Sequence, residues 1–126
     1  MEVEKKLVVI IDDERDFTEL VREVLEGTGR YTVTEANEGL TGIDIVKKVC
    51  PDLILLDLMM PDMDGSYVAV QFKQNIKTQD IPIVFLTAAV TSEEASAQKG
   101  KIGGHFFLAK PVGIRELIDC VDQHAR

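Results

Sequence analysis

The sequence predicts an α/β domain: a doubly wound, five-stranded parallel sheet with helices on both faces. Short apolar runs alternate with stretches of helical period, the rhythm of successive βα units. The apolar runs lack strict polar alternation, as expected of strands covered on both faces. No repeat, low-complexity tract or Pro/Gly/Ser-rich linker divides the 126 residues, a length that suits one domain spanning 1–126.

Each element has its own signature. The first strand is LVVII, residues 7–11, followed by a helix whose apolar face is Phe17, Leu20, Val21, Val24 and Leu25. YTVTEA, 31–36, is the second strand, and Leu40, Ile43 and Val46 mark a helix after Asn37. LILLD, 53–57, is the third strand; Val68, Phe72 and Ile76 recur on one face of the helix behind it. The fourth strand is IPIVFLT, 81–87. Thr91 to Glu94, TSEE, fits a capping box opening a helix poor in apolar residues. HFFLAK, 105–110, closes the sheet, and Ile114, Leu117, Ile118 and Val121 line the last helix.

Charge narrows the function. With 22 acidic and 14 basic residues the formal charge is −8, which repels a phosphate backbone and argues against direct nucleic-acid binding. Cys50 and Cys120 have neither the number nor the spacing of a disulfide framework or zinc site. Among apolar neighbours, both read as inert core thiols in a reducing compartment. The first apolar run halts at two aspartates instead of a cleavage site, and no run approaches the ~18 residues of a spanning helix. A cytoplasmic chain without membrane contact is expected.

Ligands in doubly wound sheets bind at the carboxyl ends of the strands. Those ends carry Asp12 and Asp13, then Asp57, Thr87 and Lys110. Taken alone, Asp12 and Asp13 read equally well as the N-cap of the first helix, Thr87 as a β-former and Lys110 as a solvated strand end. Asp57, at the tip of an apolar strand before a Met-Met-Pro turn, has no such structural role. Three carboxylates crowded together repel one another unless a cation joins them. Oxygen donors with room left for water point to Mg²⁺ over zinc or iron.

The ordered set VVIIDDE, LILLDLMMPDMDG, IVFLTA and FFLAKP resembles the receiver domain of bacterial-type response regulators over essentially the whole chain. The resemblance implies a flavodoxin-like (βα)5 fold with strand order 2-1-3-4-5. It implies that Asp57 accepts a phosphoryl group from the phosphohistidine of a histidine kinase or phosphotransfer protein. Asp13, Asp57 and the backbone carbonyl of Met59 would hold Mg²⁺, with Asp12 acting mainly through water. Thr87 and Lys110 would meet phosphoryl oxygens, and Lys110-Pro111 would be the family's cis bond. Pro61 and Gly65 would shape the turn after the nucleophile, with Gly65 supplying positive φ. Thr87 and Phe107 would form the switch, read by a downstream protein or output domain on the face of the helix from Ser92, the strand at 105–110 and the last helix. Met59 and Ala89, neither able to orient a water, would tune hydrolysis of the phosphorylated form.

Other classes fit less well. A flavin-phosphate binder needs a Ser/Thr/Gly-rich loop after the first strand, where Asp12 and Asp13 would repel the anion. A haloacid-dehalogenase-type phosphatase wants a second Asp two residues after the nucleophile, where Met59 stands. A degenerate receiver used only as a protein-binding module would lack an acidic, Thr or Lys residue, and none is missing. The expected role is a signalling switch and not an enzyme on other molecules. His105 and His124 read as surface residues, the latter frayed near the terminus, and Phe106 and Phe107 as core aromatics.

Overall fold

The computed structural model describes residues 4–88, 101–102 and 105–126, the pair 101–102 by backbone alone. The elements run β1 (Lys6–Ile11), α1 (Arg15–Gly27), β2 (Tyr31–Ala36), α2 (Gly39–Val49), β3 (Leu53–Asp57), α3 (Gly65–Lys73), β4 (Ile83–Thr87), β5 (Lys101–Ile102), β6 (His105–Ala109) and α4 (Ile114–His124). The sheet order is β2-β1-β3-β4-β6-β5. Its five long strands are parallel, in the expected order, and β5 adds a two-residue antiparallel edge too short to leave a pattern in sequence. The helix expected from Ser92 and Ala89 both lie outside the described residues.

Alternation along each strand sends successive side chains to opposite layers. Val8, Ile10, Leu53, Leu55, Val84 and Leu86 meet Val21 and Leu25 of α1 and Leu117 and Val121 of α4. Val9, Ile11, Ile54, Leu56 and Phe85 meet Ile43 and Val46 of α2 and Val68 and Phe72 of α3. Every residue of β3 is buried, which explains its unbroken apolar run. Among the described residues no helix is long and apolar enough to cross a membrane.

Several expectations are corrected. α3 ends at Lys73, and Ile76 is 83% exposed instead of helical core. The buried Thr78 hydroxyl donates to the Phe72 carbonyl at 2.6 Å, satisfying the helix end before Ile76 is reached. Leu20, Leu40 and Ile114 lie exposed at the margins of their helices. Cys50 is exposed, because it is the left-handed C-cap of α2 at φ 44°, its N–H donating to the Val46 carbonyl. Cys120 is half-buried, and burial pushes its thiol up to about 11, as an inert thiol requires. His124 is ordered on the last turn of α4, its ring 4.3 Å from that of Phe106. Phe106 and Phe107 are half-buried, not core, since β6 lies toward the sheet edge.

Candidate phosphoacceptor site

Parallel register assembles the site. Ile11 pairs with Leu56, so the next residues, Asp12 and Asp57, emerge side by side at the carboxyl edge. Thr87 pairs with Ala109, which sets Lys110 just beyond it. All five residues expected at this edge are there.

Asp12 is fully buried, its backbone N–H donating to the Ala36 carbonyl at 3.0 Å. Its Oδ1 accepts the Glu14 N–H at 2.9 Å, an Asx turn leading into α1. The N-cap is Glu14, with no side-chain cap, so neither Asp12 nor Asp13 serves as the cap. Asn37 braces the segment, its Nδ2 donating to the Asp12 carbonyl at 2.8 Å and to the buried Thr18 hydroxyl at 3.1 Å.

Asp57 is buried at the tip of β3, and its Oδ1 accepts the Met59 N–H at 3.3 Å. The following loop is clamped twice. Gly65 N–H donates to the Leu58 carbonyl at 2.9 Å, and Asp62 Oδ2 accepts the Gly39 N–H of α2 at 2.9 Å. Gly65 has no positive φ, contrary to expectation. A side chain is barred for another reason: a Cβ there would lie 2.2 Å from the Asp57 carbonyl oxygen. Glycine lets α3 start directly beneath Asp57.

The Lys110-Pro111 bond is cis, and the Lys110 N–H donates to the Thr87 carbonyl at 2.9 Å. Lys110 Nζ lies 2.6 Å from Asp12 Oδ2, 3.2 Å from Glu14 Oε1 and 3.8 Å from Asp57 Oδ2. It also stands 4.8 Å from the centroid of the Phe17 ring. Thr87 is buried, and the Phe107 ring stacks on Phe85 at 5.4 Å. Met59 is 72% exposed, its side chain facing solvent beside Asp57.

The electrostatics are those of a site short of positive charge. Burial, then the neighbouring charge of Asp12, pushes Asp57 up to about 7 despite Lys110. Burial likewise raises Asp12, more than the Lys110 ammonium and the Glu14 N–H lower it. For Lys110 burial alone would depress the pKa, but Asp12, Asp57 and Glu14 together leave it raised. Oxygens of Asp12, Asp13 and Asp57 lie within 4.8 Å of one another. Asp12 Oδ2 touches Lys110 but accepts no aligned hydrogen bond. Three clustered carboxylate oxygens, one of them held by the Lys110 ion pair, fit a hard divalent cation such as Mg²⁺.

Sequence reasoning missed Asn37, Asp62 and the Glu14 and Phe17 contacts to Lys110. Asn37 and Asp62 act on backbone 25 and 23 residues away, contacts with no local pattern. The one signal was Glu14 directly after the aspartate pair.

Comparison with known proteins agrees with this geometry. The family model for the response regulator receiver domain matches residues 8–122. The transcriptional regulator RpaA of Synechocystis is 35% identical over 88% of this chain, and the phosphate regulon regulator PhoB of Pseudomonas aeruginosa 35% over 90%. This chain spans about half the length of each, 45% and 48%. The polar-differentiation response regulator DivK of Brucella anthropi is 28% identical, covering 94% of this chain and 95% of its own. Among solved structures, a putative response regulator from Chloroflexus aurantiacus superposes with a TM-score of 0.80 at 29% identity, covering 95% of this chain and 97% of its own. The chemotaxis protein CheY4 of Vibrio cholerae shares the fold at TM-score 0.81 and 24% identity, covering 96% and 99%. Matched along nearly its whole length and carrying the acidic edge that phosphorylation and Mg²⁺ binding call for, this chain belongs to the response regulator receiver domain family of two-component systems.

Proposed function

We propose that this chain is a phosphorylatable switch whose acceptor is Asp57. The single observation that carries the proposal is a buried carboxylate pushed up to about 7 between two further aspartates and a lysine, at the carboxyl edge of the sheet. An Asp57 carboxylate oxygen attacks the phosphorus of a phosphohistidine on a histidine kinase or phosphotransfer protein. An O–P bond forms as the P–N bond breaks, and the leaving imidazole nitrogen keeps the electron pair and takes a proton. Lys110 and Thr87 bind phosphoryl oxygens, stabilising the charge they carry in the transition state. Asp13, Asp57 and the Met59 carbonyl would hold Mg²⁺, with Asp12 acting through water; when bound, the ion would supply charge neutralisation at the phosphoryl oxygens. We assign the reaction to the cytoplasm, consistent with the two free thiols.

The phosphorylated state would be read on the face expected from the helix at Ser92, β6 and α4, with Thr87 and Phe107 as the switch, by a downstream protein or output domain. The half-buried Phe107, stacked on Phe85, supports this, since a ring at partial burial has somewhere to move.

Incubation with acetyl phosphate and Mg²⁺ followed by intact mass measurement tests the proposal. One phosphoryl increment is expected on the wild type and none on a folded Asp57→Asn variant; an increment on the variant refutes the assignment. Amide exchange across residues 88–110 should change with beryllofluoride, a phosphoryl mimic, and identical exchange removes the switch face.

A further inference from the structure

Phosphoryl transfer to Asp57 asks Lys110 to meet a phosphoryl oxygen, yet its ammonium rests elsewhere. Nζ is nearer to Asp12 and Glu14, at 2.6 and 3.2 Å, than to Asp57, at 3.8 Å. It also faces the Phe17 ring, a favourable site for a cation. Asp12, Glu14 and Phe17 all belong to one short segment, the turn after β1 and the start of α1. The Asp12 carboxylate belongs to the acidic cluster, so a bound cation competes with Lys110 for it. Glu14 lies outside that cluster, 3.2 Å from Lys110 Nζ.

We propose that Glu14 is a positioning residue for Lys110. Its carboxylate, with the Phe17 ring, draws the ammonium toward α1 and competes with the phosphoryl group for it. The inference rests on the phosphoacceptor reading above. Glu14 thereby acts as a brake, setting how readily Lys110 reaches the acceptor side. The Lys110 side chain is 14% exposed and that of Glu14 64%, so water screens the pair. The brake should be worth about two- to fivefold, the scale of a single solvated ion pair.

The test uses the full chain with Mg²⁺, comparing wild type, Glu14→Gln and Asp16→Asn. Asp16, in the first turn of α1, removes the same charge two residues away and is not among the described ion-pair partners of Lys110. Two quantities are read: the affinity for beryllofluoride, and the dependence of the phosphorylation rate on acetyl phosphate concentration. For Glu14→Gln the affinity should tighten and the maximal rate rise by about two- to fivefold, with the half-saturating donor concentration little changed. Asp16→Asn should match wild type in both. Equal gains in the two variants would mean general relief of repulsion toward an anionic donor, and would overturn the role of Glu14. No gain in affinity, or weaker binding, in Glu14→Gln would also overturn it. If the wild type takes up no phosphoryl group, the phosphoacceptor reading itself fails and the brake with it; normal uptake by wild type matched by Glu14→Gln removes the brake alone.

Discussion

The two edges of the sheet use the same side chain in opposite ways. At the amino edge both carboxylate oxygens of Asp122 accept from Arg30 Nη2, at 2.9 and 3.0 Å, and Oδ1 accepts the hydroxyl of buried Tyr31. The Tyr31 hydrogen bond, then Arg30, hold its pKa below the ordinary carboxylate range. Asp52 accepts the Leu7 N–H at 2.8 Å, and the Arg126 N–H donates to the Asp52 carbonyl at 3.1 Å, tying down the strand entries. At the carboxyl edge Asp12 and Asp57 are more deeply buried and their pKa values are raised. At the amino edge the donors outweigh burial, whereas at the carboxyl edge burial outweighs the Glu14, Met59 and Lys110 contacts.

The largest effect expected from disturbing this contrast is at Gly65. Gly65→Ala forces a Cβ to within 2.2 Å of the Asp57 carbonyl oxygen, so the loop after Asp57 must shift. Loss of ~2–3 kcal/mol of stability is expected, with phosphorylation falling more than tenfold; denaturant unfolding and mass labelling measure the two. A variant as stable and as reactive as wild type would show the close approach to be immaterial.

Asp122→Asn should show the reverse pattern. Replacing the charged acceptor weakens the Arg30 and Tyr31 bonds; because the Arg30 and Asp122 side chains are 51% and 41% exposed, water screens the pair and the cost is about 0.5–1 kcal/mol, while labelling at Asp57 stays unchanged. Because the Asp122 pKa is depressed in the folded state, its contribution is present above the unfolded value and is lost as pH falls through the folded one. Acid unfolding curves for wild type and variant should therefore converge at low pH. Slower labelling in the variant would mean that the two edges are not independent.

The smallest effect concerns the lifetime of the phosphorylated form. Neither Met59 nor Ala89 can orient a water for attack, so we expect slow hydrolysis. Substituting Met59→Asn together with Ala89→Glu should speed decay of labelled protein at fixed Mg²⁺ severalfold, well short of the ~10²–10⁴-fold of full general acid–base catalysis. Unchanged decay would remove water positioning from the account.

Much of this was legible in sequence, for a physical reason. Strands covered on both faces must be continuously apolar, so β1, β3 and β4 declared themselves, and a polar residue at each carboxyl end then marked the site edge. What stayed hidden depends on contacts distant in sequence or on backbone shape. The Thr78 hydroxyl ends α3 before Ile76, and the left-handed turn at Cys50 carries its thiol to the surface. The requirement at Gly65 is a meeting with backbone eight residues earlier, visible only once the loop is folded. The Asn37 brace spans two strands.

If the carboxyl edge is held at a cost in charge that a cation relieves, thermal unfolding between pH 5 and pH 8 measures that cost. Because the Asp57 pKa is raised to about 7 by folding, the metal-free folded protein holds that proton more tightly than the unfolded chain. The stability present at acid pH is lost as pH climbs through about 7. Across that range the metal-free wild type should lose roughly 5–10 °C relative to Asp57→Asn, and Mg²⁺ should restore most of the loss at pH 8 and little at pH 5. Parallel pH profiles for wild type and Asp57→Asn, with Mg²⁺ acting equally on both, would contradict the claim.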